Sequence, residues 1–330
     1  MSEPLVSVVL PAYNVANYLD ECLETIVSQT YRRLEIIIVD DGSTDKTSEK
    51  ADEWAARDRR VVTIHQENGG LSDARNTGIS QARGEFVLLV DPDDRIDGNL
   101  ISLCVARIDG QVDLVHFGYK TISEEGHALR RFSDMGADGD LLSSIFSGKI
   151  SSHSWQLLCR RSLYTGVLFP KGRKSEDAAT TYRLVSRARQ YVILPDCPYE
   201  YRVRSGSILS ELASDRAKAV RYYEDELLSF HEMIEWTILQ KREDYTVLVR
   251  NNLIRHLFRH YRSSVGSGNF LGVTWTSARL RDELAEFGMS DLDSLNKFEA
   301  LLFRFGLSDT FYRVYNRMKC IAKRLLQRPT

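Results

Sequence analysis

Glu35-Ile-Ile-Ile-Val39 runs straight into Asp40-Asp-Gly-Ser-Thr-Asp45, and this junction decides the fold. A short β-branched run closed by an acidic, turn-forming string reads as a strand buried on both faces, not as one face of a helix. The same arrangement occurs on either side of it. Val6-Ser-Val-Val-Leu10 precedes Pro11-Ala-Tyr-Asn14, and Val61-Val-Thr-Ile64 leads to Glu67-Asn-Gly-Gly-Leu-Ser-Asp-Ala-Arg-Asn76. Phe86-Val-Leu-Leu-Val90 precedes Asp91-Pro-Asp-Asp94. Between the first two runs, Val15, Tyr18, Leu19, Cys22, Leu23, Ile26 and Val27 recur at helical spacing and predict an amphipathic crossover helix. Repeated strand–helix units give an α/β class: a Rossmann-like, mostly parallel sheet flanked by helices, with right-handed βαβ connections.

The bulk numbers narrow the function. With 330 residues, 43% of them hydrophobic, the chain can bury one large core and an appendage. A formal charge of -2 gives no overall attraction to nucleic acid, so an anionic ligand must be held by a local site. Five cysteines, Cys22, Cys104, Cys159, Cys197 and Cys320, are odd in number and form no C-x-x-C pair, which fits a reduced, cytoplasmic protein. The Leu5–Leu10 stretch is too short and wrongly flanked for a signal peptide, and no run reaches the roughly 18 apolar residues of a membrane span.

Residues 1–210 are expected to form the α/β domain, with a nucleotide-binding half over about 1–97 and an acceptor half over about 98–210. Candidate strands in the second half are Asp113–Tyr119 and Tyr191–Leu194. Residues 211–330 are expected to be α-helical, with amphipathic patterns over Ala217–Leu239 and Tyr245–Tyr261.

In a doubly wound sheet, ligands bind beyond the carboxyl ends of the strands, where all four polar strings lie. Carboxylates crowded at such an edge raise one another's pKa unless a cation sits among them. A hard divalent ion such as Mg²⁺ takes one or two protein carboxylates and fills its shell with water and substrate phosphate, which a D-x-D turn can offer. Arg75 is the candidate cation for the remaining diphosphate charge.

Together these four strings resemble glycosyltransferase family 2, over roughly residues 5–210. The resemblance implies a GT-A fold and inverting transfer from a UDP-sugar with Mg²⁺ or Mn²⁺. It implies that Pro11, Tyr13, Asp40 and Arg75 surround the uracil, with Asp40 accepting from a base N–H and Asp41 as the neighbouring alternative. Ala12, Asn14 and Gly70 join them in the nucleotide-sugar site. Asp91 is expected on the ribose or the metal shell, Asp93 as the direct metal ligand, and Asp94 on water or the sugar. Pro92 stands where the family more often has serine. Glu176-Asp177 matches the family's Glu-Asp pair: Asp177 is assigned as general base and Glu176 as acceptor-orienting or structural, with the reverse open. Ser154-Trp-Gln-Leu-Leu-Cys-Arg-Arg161 stands where relatives often read Trp-Asn-Lys-Leu-Tyr. Tyr199-Glu-Tyr-Arg-Val-Arg-Ser-Gly-Ser207 keeps the family's ending, with Arg202 or Arg204 reaching phosphate from a mobile lid.

The implied role is transfer of a hexose or N-acetylhexosamine to a glycan or lipid-linked saccharide in surface polysaccharide synthesis. A nucleotidyltransferase would want a glycine-rich basic loop where Pro11–Asn14 stands. The remaining alternative is a non-catalytic nucleotide-sugar-binding or scaffold protein with a decayed acceptor site. At the C-terminus Phe311, Val314, Tyr315, Met318, Ile321, Ala322 and Leu325 form an apolar stripe beside Arg313, Arg317, Lys319, Lys323, Arg324 and Arg328. Two readings of it stand open: a helix packed on the domain, or a peripheral contact with anionic lipid on the inner face of the membrane. His256 and His260 have the i, i+4 spacing of a metal pair, but no third ligand lies near them in sequence, so they read as helix-surface residues. No G-x-x-x-x-G-K-[ST] string exists, which excludes a P-loop enzyme.

Overall fold

The computed structural model describes residues 3–133, 140–204, 215–287, 291–304, 306, 308 and 312. The chain divides into two compact units, residues 1–145 with 149–207, and residues 146–148 with 208–330.

The first unit is built on a nine-stranded sheet. Its N-terminal half comprises β1 (Val6–Ala12), β2 (Leu34–Asp40), β3 (Val61–His65) and β4 (Phe86–Leu89), parallel throughout and ordered β3-β2-β1-β4. Every residue of β1, β2 and β4 is buried, which is why these segments are apolar without alternation. The crossover helices are α1 (Leu19–Val27), α2 (Thr47–Arg57) and α3 (Leu71–Gln81). The buried face of α1 is Leu19, Cys22, Leu23 and Ile26, the expected stripe. Helix α3 lies so close to the sheet that a Cβ on Gly78 would stand 2.3 Å from Val9 Cγ1 and 3.2 Å from Val39 Cγ2.

The sheet continues as β5 (Arg95–Ile96), then, after α4 (Leu100–Val105), β6 (Val112–Ile122) and β7 (Ala128–Phe132). Next come α5 (Leu141–Phe146), β8 (Leu157–Arg160), α6 (Glu176–Arg187) and β9 (Gln190–Arg202). Strand β8 is antiparallel to β4 and β6, whereas β6 and β9 are parallel, so this half is mixed. The expected strands at Asp113–Tyr119 and Tyr191–Leu194 are both present and longer than expected. Tyr199–Arg202 completes β9 and is therefore sheet, not a lid; Tyr199 is fully buried. Ser205–Ser207 lies outside the described residues.

The second unit contains α7 (Arg216–Leu239), α8 (Glu243–Ser267), α9 (Phe270–Phe287) and α10 (Ser294–Arg304). Asp215 caps α7, accepting from the backbone N–H groups of Ala217 and Lys218 at 2.9 and 3.0 Å. Asn251 on α8 holds the start of α10, donating to Asp291 O and accepting from Asp293 N at 2.7 Å. The basic stripe from Phe311 to Arg328 falls outside the described residues. Among the described residues no helix is long and apolar enough to cross a membrane, and Cys22, Cys104, Cys159 and Cys197 are free and buried.

Candidate active site

The strand order turns back between β1 and β4, and at that point an open sheet leaves a crevice beyond its carboxyl ends. The candidate residues gather there, but they divide into those that hold the loops and those that face outward.

Pro11 and Ala12 are the last residues of β1, paired with Val39 and Asp40. Tyr13, just beyond, is 47% exposed. Asn14 adopts φ +52°, a left-handed conformation that Asn tolerates better than most residues. Its Oδ1 accepts from Thr44 N at 2.8 Å and Asp45 N at 3.3 Å, so Asn14 clamps the second loop to the first.

Asp40 accepts from Ser43 N at 3.1 Å and lies 3.0 Å from His65 Nδ1, whose Nε2 is 3.0 Å from Asp52. Burial pushes the Asp40 carboxyl up, but hydrogen bonds from Ser43 and His65 outweigh it and hold the pKa below its usual value. Asp41, the alternative base contact, is turned the other way. Its Oδ1 accepts from Gln66 Nε2 and Gly69 N, and its Oδ2 from Gly70 N, at 2.7, 2.9 and 2.8 Å. Asp41 thus fastens the third loop, and Gly70 contributes a backbone donor at φ +85°, which suits glycine.

The turn after β4 separates its three carboxylates. Asp94 is buried: Oδ2 accepts from Tyr199 Oη and Oδ1 from Arg202 N, each at 2.7 Å. It cannot touch water or a sugar as expected, and it anchors the turn to β9. Burial, then the charges of Asp93 and Asp91, push its pKa well up. Asp91 and Asp93 remain 21% exposed at the side chain. Asp91 is also raised, by burial and by Asp93 and Asp177 against the pull of Arg75. Three carboxylates crowd this turn beside two guanidinium partners, and the hard oxygen donors of Asp93 and Asp91, about a fifth exposed, fit a divalent cation.

Two arginines stand elsewhere than expected. Arg202 was expected on phosphate, but its Nε donates to Asp93 O, Nη1 to Glu124 O and Nη2 to Glu21 Oε2, at 2.9, 2.6 and 2.6 Å. It braces the acidic turn from behind. Arg204 is more open and donates to Asp93 Oδ2 at 2.6 Å, with its guanidinium 5.2 Å from the Tyr18 ring centroid. Arg75 was expected beside uracil and diphosphate. Its guanidinium is instead 1% exposed and forms 2.9 Å hydrogen bonds to Asp91, Glu176 and Asp177. Burial alone would lower its pKa, but three carboxylates raise it, and the charge is permanent.

Glu176 and Asp177 occupy the first turn of α6. The Glu176 carboxyl is pushed up to about 8, by burial and then by the charge of Asp177, with Arg75 opposing. Its side chain is 8% exposed and that of Asp177 19%, so Asp177 is the more open of the pair.

An aromatic column behind the acidic turn was not anticipated. Trp155 stacks on His153, Tyr199 and Tyr201 at centroid distances of 4.6, 4.3 and 5.7 Å. Besides its bond to Asp94, Tyr199 Oη accepts from the backbone N of Asp91 at 3.1 Å. The alternation Tyr199-Glu-Tyr201 was the available signal, since i and i+2 on a strand share a face. Gln156, where relatives often have asparagine, donates to Phe117 O at 3.0 Å.

The profile described as Glycosyl transferase family 2 matches residues 7–173. Glycosyltransferase GlyG of Streptococcus pneumoniae serotype 4 is 38% identical over 223 residues, 63% of this chain and 74% of that protein. Among solved structures, S. aureus TarS 1–349 in complex with UDP-GlcNAc is similar with a TM-score of 0.72 at 20% identity, over 95% of this chain and 92% of that one. Mannosyltransferase PcManGT from Pyrobaculum calidifontis, in complex with GDP-Man and Mn²⁺, gives a TM-score of 0.52 at 17% identity, over 96% and 88% of the two chains. At these identities the structural likeness speaks for the fold, which is the GT-A arrangement.

Proposed function

Because this chain belongs to glycosyl transferase family 2, we propose that it transfers a hexose or N-acetylhexosamine, with inversion, from a UDP-sugar to a hydroxyl of a glycan or lipid-linked saccharide in surface polysaccharide synthesis. One observation carries the reading. Arg75 joins the Asp91 end of the acidic turn to the Glu176–Asp177 pair through one buried guanidinium. The groups suited to a nucleotide diphosphate and those suited to an acceptor proton therefore share one charge network. The choice of UDP draws on the TarS complex with UDP-GlcNAc, which has the same fold.

Tyr13 is open to lie against the base, Asp40 keeps its charge to accept from a base N–H, and Arg204, held at Asp93, would be the cation for the diphosphate. Asp93, with Asp91, would hold Mg²⁺ or Mn²⁺, which supplies neutralisation of the departing diphosphate. Asp177 takes the proton of the acceptor hydroxyl as its oxygen bonds to the anomeric carbon from the face opposite the diphosphate. The bond from that carbon to the diphosphate breaks, and UDP leaves with the electron pair. Glu176, protonated for the most part near neutral pH, orients Asp177 through the guanidinium they share. The basic stripe over residues 313–328 would rest on anionic lipid at the inner face of the membrane, near a lipid-linked acceptor.

The test is calorimetric titration of UDP, GDP, dTDP and CDP, with Mn²⁺ and then with EDTA. Metal-dependent, UDP-selective binding that Asp93→Ala removes is expected. No nucleotide binding by folded protein would overturn the reading in favour of a scaffold.

A further inference from the structure

His256 and His260 are one turn apart on α8, and the third ligand that the local sequence lacks comes from α7. Glu226, His256 and His260 each present a donor atom within 4.8 Å of the others. Glu226 Oε2 lies 2.6 Å from His260 Nε2, and Glu226 Oε1 lies 3.7 Å from His256 Nδ1. An ion pair between Glu226 and His260 accounts for the first distance but not the second. His256 Nδ1 is buried without any hydrogen-bond partner, an unfavourable arrangement unless something binds there. Tetrahedral ligands at 2.0–2.1 Å stand about 3.3 Å apart, between the two observed separations.

The surroundings suit ligation. The His260 ring stacks on Tyr223 with centroids 3.7 Å apart, and Phe230 lies 5.0 Å from His256, so both imidazoles are held in place from α7. The three side chains are 14–23% exposed, enough for an ion to enter.

We propose that Glu226, His256 and His260 form a second metal site, for Zn²⁺ or a similar transition-metal ion, that pins α7 to α8. Two imidazole nitrogens select against Mg²⁺, which prefers oxygen, so this site and the carboxylates of the first unit take different metals. Three protein ligands leave the fourth position for water.

The experiment titrates Zn²⁺ into metal-free full-length protein in excess Mg²⁺, with calorimetry and thermal melting as readouts. One Zn²⁺ per chain and a raised Tm are expected, both retained by Asp93→Ala. His256→Gln and His260→Gln should each weaken the affinity at least tenfold. Absence of Zn²⁺ binding, or binding that survives both histidine changes or is lost in Asp93→Ala, overturns the proposal. Should the histidine variants fail to fold by circular dichroism, Co²⁺ added to the wild-type protein decides. Visible ligand-field bands of a low-coordinate nitrogen–oxygen site support the assignment, and a spectrum of hydrated Co²⁺ alone overturns it.

Discussion

Asp177 and Glu176 sit side by side on one guanidinium, yet they should respond differently to loss of charge. Asp177→Asn removes the more exposed carboxylate and is expected to lower kcat about 10²–10⁴-fold while UDP binding measured by calorimetry is unchanged. Glu176 offers a test by pH. A glutamic acid in the unfolded chain loses its proton near 4.3, whereas native Glu176 holds it to about 8. Between those values the native state binds more protons, so stability falls as pH rises through the window. In EDTA, Glu176→Gln is therefore expected to flatten the decline of Tm from pH 5 to pH 8; an unchanged slope would show that Glu176 ionises normally. At this scale the sequence was legible in residue type more than in role. Asp93 and Asp177 keep part of their side chains exposed, whereas Asp40 and Glu176 are buried. Asp41, Asp94 and Arg202, equally polar, are occupied by backbone and side-chain partners within the fold. Nothing local distinguishes a carboxylate that meets a ligand from one that meets Gly69 and Gly70, because the choice is made by chain arriving from elsewhere.

Two elements set the position of the acidic turn. Helix α3 reaches the sheet through Gly78, whose added Cβ would strike the stiff, fully buried Val9. Gly78→Ala is expected to destabilise by about 1–3 kcal/mol despite the better helix propensity of alanine, as read by urea denaturation. Strand β9 supports the turn from the other side. Tyr199→Phe removes the hydroxyl that Asp94 and the Asp91 backbone share, and a loss of about 1–3 kcal/mol is expected, with weaker Mn²⁺-dependent UDP binding. Strands β1, β2 and β4 were readable because burial on both faces writes itself as an unbroken apolar run. The end of β9 was not, since Tyr-Glu-Tyr-Arg carries polar groups that become buried only when paired with β6 and the turn. The lid was an expectation from the family's ending over Tyr199–Ser207, and the order of Tyr199–Arg202 comes from tertiary hydrogen bonds.

Across the whole molecule, the readings that fell short are mostly those whose partner lies far along the chain. Arg75 meets Glu176 and Asp177 across 101 and 102 residues, and Arg202 meets Asp94 across 108. His260 meets Glu226 across 34, which is why the histidine pair seemed to lack a third ligand. Helix α6 and strand β9 then show what such long reach means for recombination. Residues 176–204 bring Asp177 at one end and Tyr199, Arg202 and Arg204 at the other, so a single continuous segment carries the proposed proton acceptor and the support of the acidic turn. A chimaera that takes this segment whole from a relative is expected to melt cooperatively by circular dichroism, while one with its crossover between α6 and β9 melts earlier. A swap of the helix alone would part Asp177 from the β9 framework to which it is tied through Arg75, Asp91 and Tyr199.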